Sequence, residues 1–204
     1  MTPQTPQRVV LAVSGASGAC YGVQTLRMLV QAGVEVDLIY SSAAKRVLME
    51  EMSIPLEMDP QVLLKSEQSQ AGIYMHDHAD IGAAPASGSG LAELVIVVPC
   101  SLSTVAGIAN GSASNLIERA AQVALKEGKK LIVVPRETPL SRVHLDHLSR
   151  LAWAGATILP ASPGFYHRPQ TLEELVSQLC SKILGVCGIP QNEIAPWQGS
   201  EESE

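Results

Sequence analysis

Apolar residues in this chain gather in short, nearly unbroken runs, separated by longer stretches where they recur every third or fourth position. The runs cover residues 8–13, 34–40, 94–98 and 131–134, with a shorter one at 157–159. Runs of this length, rich in Val, Ile and Leu and without polar alternation, predict strands covered on both faces. Between them, residues 19–31, 43–52, 114–126, 141–153 and 172–186 carry helical spacing, several with Ser or Thr just ahead to cap the first free amides. Strand and helix in alternation predict an α/β protein built on a doubly wound parallel sheet. At 204 residues the chain suits one domain, read as 1–190, with a tail over 191–204. The region 57–78 fits neither pattern.

Ligands of such sheets bind beyond the carboxyl ends of the strands, so residues 14–18, 41–42, 99–104 and 135–139 are where chemistry is expected. Ser14-Gly15-Ala16-Ser17-Gly18 offers glycines for a tight turn and amides at a helix start for an anion or a polar ring edge. A plain strand-to-helix turn satisfies the same pattern. The motif is not GxGxxG, and the second strand ends in Tyr40-Ser41-Ser42 with no acid to hold an adenosine ribose, Asp37 lying three residues inside it. FMN, which has no such ribose, is easier to accommodate than NAD.

Pro99-Cys100-Ser101-Leu102-Ser103-Thr104 places hydroxyls at a second helix start, where they either receive a phosphate or merely cap the helix. Arg136-Glu137 sets a cation beside a carboxylate at the same end of the sheet, to bind phosphate and manage its proton or to close a loop. Arg119 and Lys126, seven apart on a predicted helix, share a face, as a binding surface or as a solvated edge. Gly164-Phe165-Tyr166-His167 is conspicuous in a chain with 2 Trp, 4 Tyr and 1 Phe. Residues 80–90 are mostly small, which suits either close approach to a ligand or a neighbouring subunit, or simply a loop of small residues.

The formal net charge is -6, but Glu193, Glu201, Glu202 and Glu204 supply much of it from the tail. The body has no basic stripe, which excludes nucleic acid as the main partner. No stretch approaches the roughly 20 apolar residues needed to span a bilayer. The run at 9–13 ahead of Ser17-Gly18-Ala19-Cys20 is too short, and lacks the basic leader, for an export signal. Cys20, Cys100, Cys180 and Cys187 show no CxxC spacing, so free thiols in the cytoplasm are expected. His76-Asp77-His78 and the pair His144 and His147 lack a third ligand, and the adjacent acids Glu50-Glu51 and Glu173-Glu174 diverge on a helix, so no metal is expected.

Taken in order, six motifs closely resemble the UbiX family of flavin prenyltransferases across residues 8–197. They are Ser14-Gly-Ala-Ser-Gly-Ala19 with Tyr21-Gly22, Pro85-Ala86-Ser87-Gly88-Ser89, Pro99-Cys100-Ser101 through Thr104, Asn115-Leu-Ile-Glu-Arg-Ala120, Val134-Pro-Arg-Glu137 and Pro163-Gly-Phe-Tyr-His167. The resemblance implies a Rossmann-like, flavodoxin-type fold, assembled as a homododecamer with sites at subunit interfaces. It implies transfer of a dimethylallyl group from dimethylallyl monophosphate to N5 and C6 of reduced FMN, giving the prenylated FMN used by UbiD-type decarboxylases.

By the same resemblance, FMN contacts fall on Gly15, Ala16, Ser17, Ser41, Ser101, Leu102, Ser103, Thr104 and Arg136. Prenyl-phosphate contacts fall on Ala86, Ser87, Gly88, Arg119, Lys126, Arg136, Glu137, Tyr166 and Lys182, and the catalytic set on Ser17, Glu51, Lys126 and Glu137. These residue types suit the reaction. Breaking an allylic C–O bond leaves a phosphate dianion, which clustered Arg and Lys stabilise without magnesium, and closing the fourth ring releases a proton that a carboxylate such as Glu51 can accept.

Two positions depart from the pattern. Some family members carry Trp in the loop ahead of Pro-Ala-Ser-Gly, where this chain reads Asp80-Ile81-Gly82-Ala83, and Lys182 stands where members have Arg or Lys. Two other readings compete. A flavin-dependent cysteine decarboxylase would show a catalytic histidine and Pro-Ala-Ser-Ala-Asn-Thr in place of Pro85-Ala86-Ser87-Gly88. An FMN storage protein would need the flavin loops but not Glu51, Lys126, Arg136, Glu137 and Tyr166 together.

Overall fold

The computed structural model describes residues 5–55, 63–64, 72–90 and 92–191. Strands β1 (Arg8–Val13), β2 (Glu35–Tyr40), β3 (Ile73–His76), β4 (Leu94–Cys100), β5 (Lys130–Pro135) and β6 (Thr157–Ile158) form one sheet in the order β3-β2-β1-β4-β5-β6. Every neighbouring pair is parallel. This is the doubly wound Rossmann order, which reverses between β1 and β4 and opens a crevice beyond their carboxyl ends.

The helices are α1 (Ala19–Gln31), α2 (Ser42–Met52), α3 (Leu102–Ala109), α4 (Leu116–Lys126), α5 (Arg142–Trp153) and α6 (Leu172–Cys187). Side chains alternate through the sheet into two cores. Val9, Leu11, Val36, Leu38, Ile96 and Ile132 pack with residues of α1, α2 and α6. Val10, Ala12, Val95, Val97, Leu131 and Val133 pack with residues of α3, α4 and α5 on the other face. Each fully buried aliphatic side chain contributes about 1.5–3 kcal/mol, which is why the strand runs contain so few polar residues.

The exception is Asp37, 0% exposed in the middle of β2. Arg8 donates to its two oxygens at 2.7 and 2.6 Å, and His76 Nε2 lies 2.6 Å from Oδ1. The carboxylate therefore ties β1 and β3 to β2, and its place inside the strand reflects structure, not a ribose. β3 itself lies in the region where the sequence shows no pattern. It has only 4 residues at a sheet edge, with Tyr74 and Met75 partly exposed, too short and too open to produce an apolar run.

The connection from β3 to β4 departs from the usual helical crossover. Residues 77–90 lead away from β3 through a short 3-10 turn, Ala84–Ala86, that packs against α4. The small side chains of this segment are explained by that packing: Pro85 and Ala86 are buried, and Ala86 joins Ala120, Ala121 and Ala124 in the same core. Among the described residues no helix is long and apolar enough to cross a membrane. Of the tail over 191–204, only Gln191 falls among the described residues.

Candidate active site

The crevice is built by one buried hydroxyl. Ser14, 1% exposed at the end of β1, donates through Oγ to the Pro99 carbonyl at 3.1 Å and accepts from the Ser101 N–H at 2.6 Å. Its own N–H bonds the Pro99 carbonyl at 3.1 Å, and the Ser41 N–H bonds the Val13 carbonyl at 3.0 Å. The ends of β1, β2 and β4 are thereby held together, bringing the loops that carry Ser17, Ser41 and Ser101 to one place.

Ser101 then caps α3, accepting from the Thr104 N–H at 3.4 Å. Its hydroxyl also lies 3.0 Å from both Ser103 Oγ and Thr104 Oγ1. Three hydroxyls and the first free amides of an eight-residue helix converge there, a donor set that suits a phosphate monoester. Capping and phosphate binding, alternatives in the sequence, are compatible in the fold. Ser41 caps α2 through Ala44 N at 3.0 Å.

The loop after β1 is packed too closely for a side chain at either of its glycines. A Cβ on Gly15 would overlap that of Ala43 on α2, and Gly18 sits at φ 99° with the Tyr21 ring 2.9 Å from its Cβ position. Arg136, just past β5, donates through Nε to the Ser17 carbonyl at 2.8 Å, using one of its five N–H donors. Tyr21 lies within the field of that cation, but burial dominates and pushes its phenol above the ordinary value. On the other side, the Glu51 carboxylate accepts from Gly18 N–H at 3.0 and 3.2 Å and from Ala19 N–H at 2.9 Å. It stands at the positive end of α1, where a negative charge is favoured, beside a cleft of about 710 Å³ whose lining includes Cys20, Arg27 and Ser177. Burial, reinforced by the Glu51 charge, pushes the Cys20 thiol up.

The residues expected at a prenyl phosphate divide into two groups on opposite faces of the sheet. Glu137 follows Arg136 at the carboxyl edge, where its carboxylate accepts from Thr138 N–H at 3.0 Å. Tyr166 lies on the loop before α6, its ring over Gly164, and Lys182 is exposed further along that helix. The second group lies along α4. Arg119 donates to the Ala86 carbonyl at 3.2 Å, and Lys126 pairs with Glu127 at 3.1 Å, whose carboxylate abuts Gly88. Lys129 reaches the Gly88 carbonyl at 3.4 Å.

The far end of this second group, Lys126 with Gly88, lies away from the crevice. β5 begins at Lys130, opposite Leu94 at the start of β4, so the end of α4 lies at the amino edge of the sheet. β4 has 7 residues and spans about 20 Å, which separates Gly88 and Lys126 from Ser101 of the same chain.

Ser14 and Tyr21 are positioning residues that the candidate set omitted. Both stand in the first motif, but only the fold reveals the contact to Ser101 and the stacking on Gly18. His144 serves in a capping box with Ser141. Among the described residues no group of three or more His, Cys, Asp or Glu is placed to hold a metal.

The flavoprotein family model matches residues 1–184. The chain is 43% identical to the flavin prenyltransferase UbiX of Pseudomonas aeruginosa, an alignment covering 94% of each chain. Its fold superimposes on AnUbiX (PadA1) in complex with FMN and dimethylallyl pyrophosphate with a TM-score of 0.88 and 35% identity, covering 96% of this chain and 100% of that one. A dodecameric FMN-dependent UbiX-like decarboxylase from Escherichia coli O157:H7 gives a TM-score of 0.85 at 36% identity, covering 94% and 100%.

Proposed function

This chain belongs to the UbiX family of flavin prenyltransferases, and we propose that it joins the dimethylallyl group of dimethylallyl monophosphate to N5 and C6 of reduced FMN. The observation that carries this reading is the crevice at the β1 and β4 ends, where Ser101, Ser103 and Thr104 converge at a helix start while the end of β2 ahead of Ser41 offers no acid for a second nucleotide. The residues present fit FMN. Its phosphate would be held by the three hydroxyls and the α3 amides, and its ring edge would face the loop from Gly15 to Ser17, with Ser41, Leu102 and Arg136 around it.

Reduced FMN supplies the nucleophile when bound; the chain supplies charge, position and proton transfer. Arg119, Lys126 and Lys182, with the Tyr166 phenol, would receive the phosphate as the allylic C–O bond breaks and its electron pair leaves with oxygen. Ala86, Ser87 and Gly88 would approach it through backbone and hydroxyl groups. Glu51, with Ser17 or the departing phosphate, would take the proton released when the fourth ring closes, and Glu137 would set the protonation of the phosphate held by Arg136. Because Lys126 and Gly88 lie toward the amino edge, each site would need a second copy of the chain. The dodecameric relative supports a homo-oligomer of this kind. We place the enzyme in the cytoplasm, with its product passing to a UbiD-type decarboxylase.

The test is to incubate the protein anaerobically with reduced FMN and dimethylallyl monophosphate and weigh the extracted flavin. A gain of one prenyl unit, unchanged by excess EDTA, is expected. An unmodified flavin would refute the reading, and activity lost to EDTA and restored by magnesium would refute its metal-free form. The cysteine decarboxylase reading is disfavoured by Gly88 in the Pro85-Ala86-Ser87-Gly88 motif, and storage alone by the retained polar set.

A further inference from the structure

Gln178 lies on α6 beneath the turn that carries Tyr166. Among the described residues, both polar atoms of its side-chain amide are buried without a hydrogen-bond partner, and so is Ser181 Oγ one turn along. Gln178 is 7% exposed and Ser181 5%. Gln178 Nε2 stands 3.9 Å from the position a Gly164 Cβ would occupy, and the Tyr166 ring comes within 2.8 Å of that same point. Lys182 follows four residues later on the same helix face, at a Cβ separation of about 5–6 Å. Tyr166 and Lys182 therefore flank Gln178, one through the Gly164 turn and the other along the helix.

Buried amides are almost always paired, because an unpaired one gives up its hydration with nothing in return. An apolar side chain of equal volume would fill this space without that loss. Of the residues flanking Gln178, Tyr166 carries a phenol and Lys182 an ammonium, which suit the oxygens of a phosphate monoester. Resting on the reading given above, we propose that Gln178 is a binding residue of the donor site, its amide N–H donating to a phosphate oxygen held between Tyr166 and Lys182. A neutral donor adds a directed bond to an anion already faced by cations, and does so independently of pH.

Gln178→Met keeps the volume and removes the amide. A hydrogen bond to a charged group corresponds to about 10- to 100-fold in affinity, so KM for dimethylallyl monophosphate is expected to rise at least tenfold. FMN affinity should stay within about twofold, and the thermal midpoint of the ligand-free protein should hold or rise, since no internal bond is lost. Gln178→Glu, which sets a carboxylate against the dianion, should raise KM further. A donor KM within about twofold of wild type in Gln178→Met would overturn the proposal. So would a fall of several degrees in its midpoint, since the amide would then be serving the fold. Donor binding measured by thermal shift separates this proposal from the preceding one. Wild-type protein that binds donor through Gln178 yet prenylates nothing would sink the assigned reaction and leave this site standing.

Discussion

The carboxylate of Glu51 holds the backbone of Gly18, 33 residues earlier, through 3.0 and 3.2 Å bonds to one N–H. With the adjacent Ala19 bond, it is the cap that α1 lacks from its own sequence, since Gly18 has no side chain to provide one. Glu51 thus fixes the loop after β1, a task separable from the proton acceptance proposed for it. Glu51→Gln keeps an oxygen for the amides, so FMN affinity should change by less than about threefold while ring closure slows by about 10²–10⁴-fold. Glu51→Ala should also lose the cap, worth about 1 kcal/mol, and bind FMN several-fold more weakly. Flavin titration and single-turnover absorbance of the four-ring product measure the two effects. Normal ring closure in Glu51→Gln would move the proton to Glu137 or the phosphate.

Ser14→Ala removes the hydroxyl between β1 and β4 and leaves the Ser101 N–H without its acceptor. A loss of about 1–3 kcal/mol in urea unfolding is expected, together with weaker FMN binding, because Ser101 anchors the proposed phosphate site. Unchanged stability and affinity would show that Ser14 does not organise the crevice.

If each site draws on two copies, two inactive variants should rescue each other. Lys126→Ala and Arg136→Ala each disable a different half of the site, so co-expressed chains should form some sites intact on both sides and regain part of the activity. Separately purified variants, each inactive, are the control. No recovery in verified mixed oligomers would mean that one chain supplies both halves.

His78 gives the protein an acid-sensitive point. Burial, its largest influence, lowers its pKa from the ordinary 6.5, outweighing the opposing charges of Asp77 and Glu118 and its hydrogen bond to Asn115, while Lys45 adds to the depression. As pH falls through 6.5 the unfolded chain therefore takes up this proton first, and folding stability declines until pH drops below the folded value. Above 6.5 both states are neutral at this position and the penalty vanishes. His78→Gln should show a shallower loss of stability on acidification than wild type in urea unfolding at pH values either side of 6.5. Parallel profiles would rule the imidazole out.

The strands that bury both faces were legible because they left near-continuous apolar runs, and their carboxyl ends then located Ser14, Ser41, Ser101 and Arg136 without further information. β3 was not, because a four-residue edge strand needs no apolar run when Asp37 fastens it through His76. The role of residues 80–90 was half legible. Their small side chains indicated close packing, but not that the packing surface is α4. Contacts across long sequence separations, such as Glu51 on Gly18 or Gln178 beneath Gly164, have no local pattern at all.

The opposed placement of the two proposed half-sites gives the chain a direction. If neighbours complete each other head to tail, an open run of n chains contains n − 1 whole sites and wastes one half at each end. Only a closed array equips every chain. Closure then has a catalytic reward as well as an energetic one, and output per chain should climb as fragments join, levelling off when the last free ends meet.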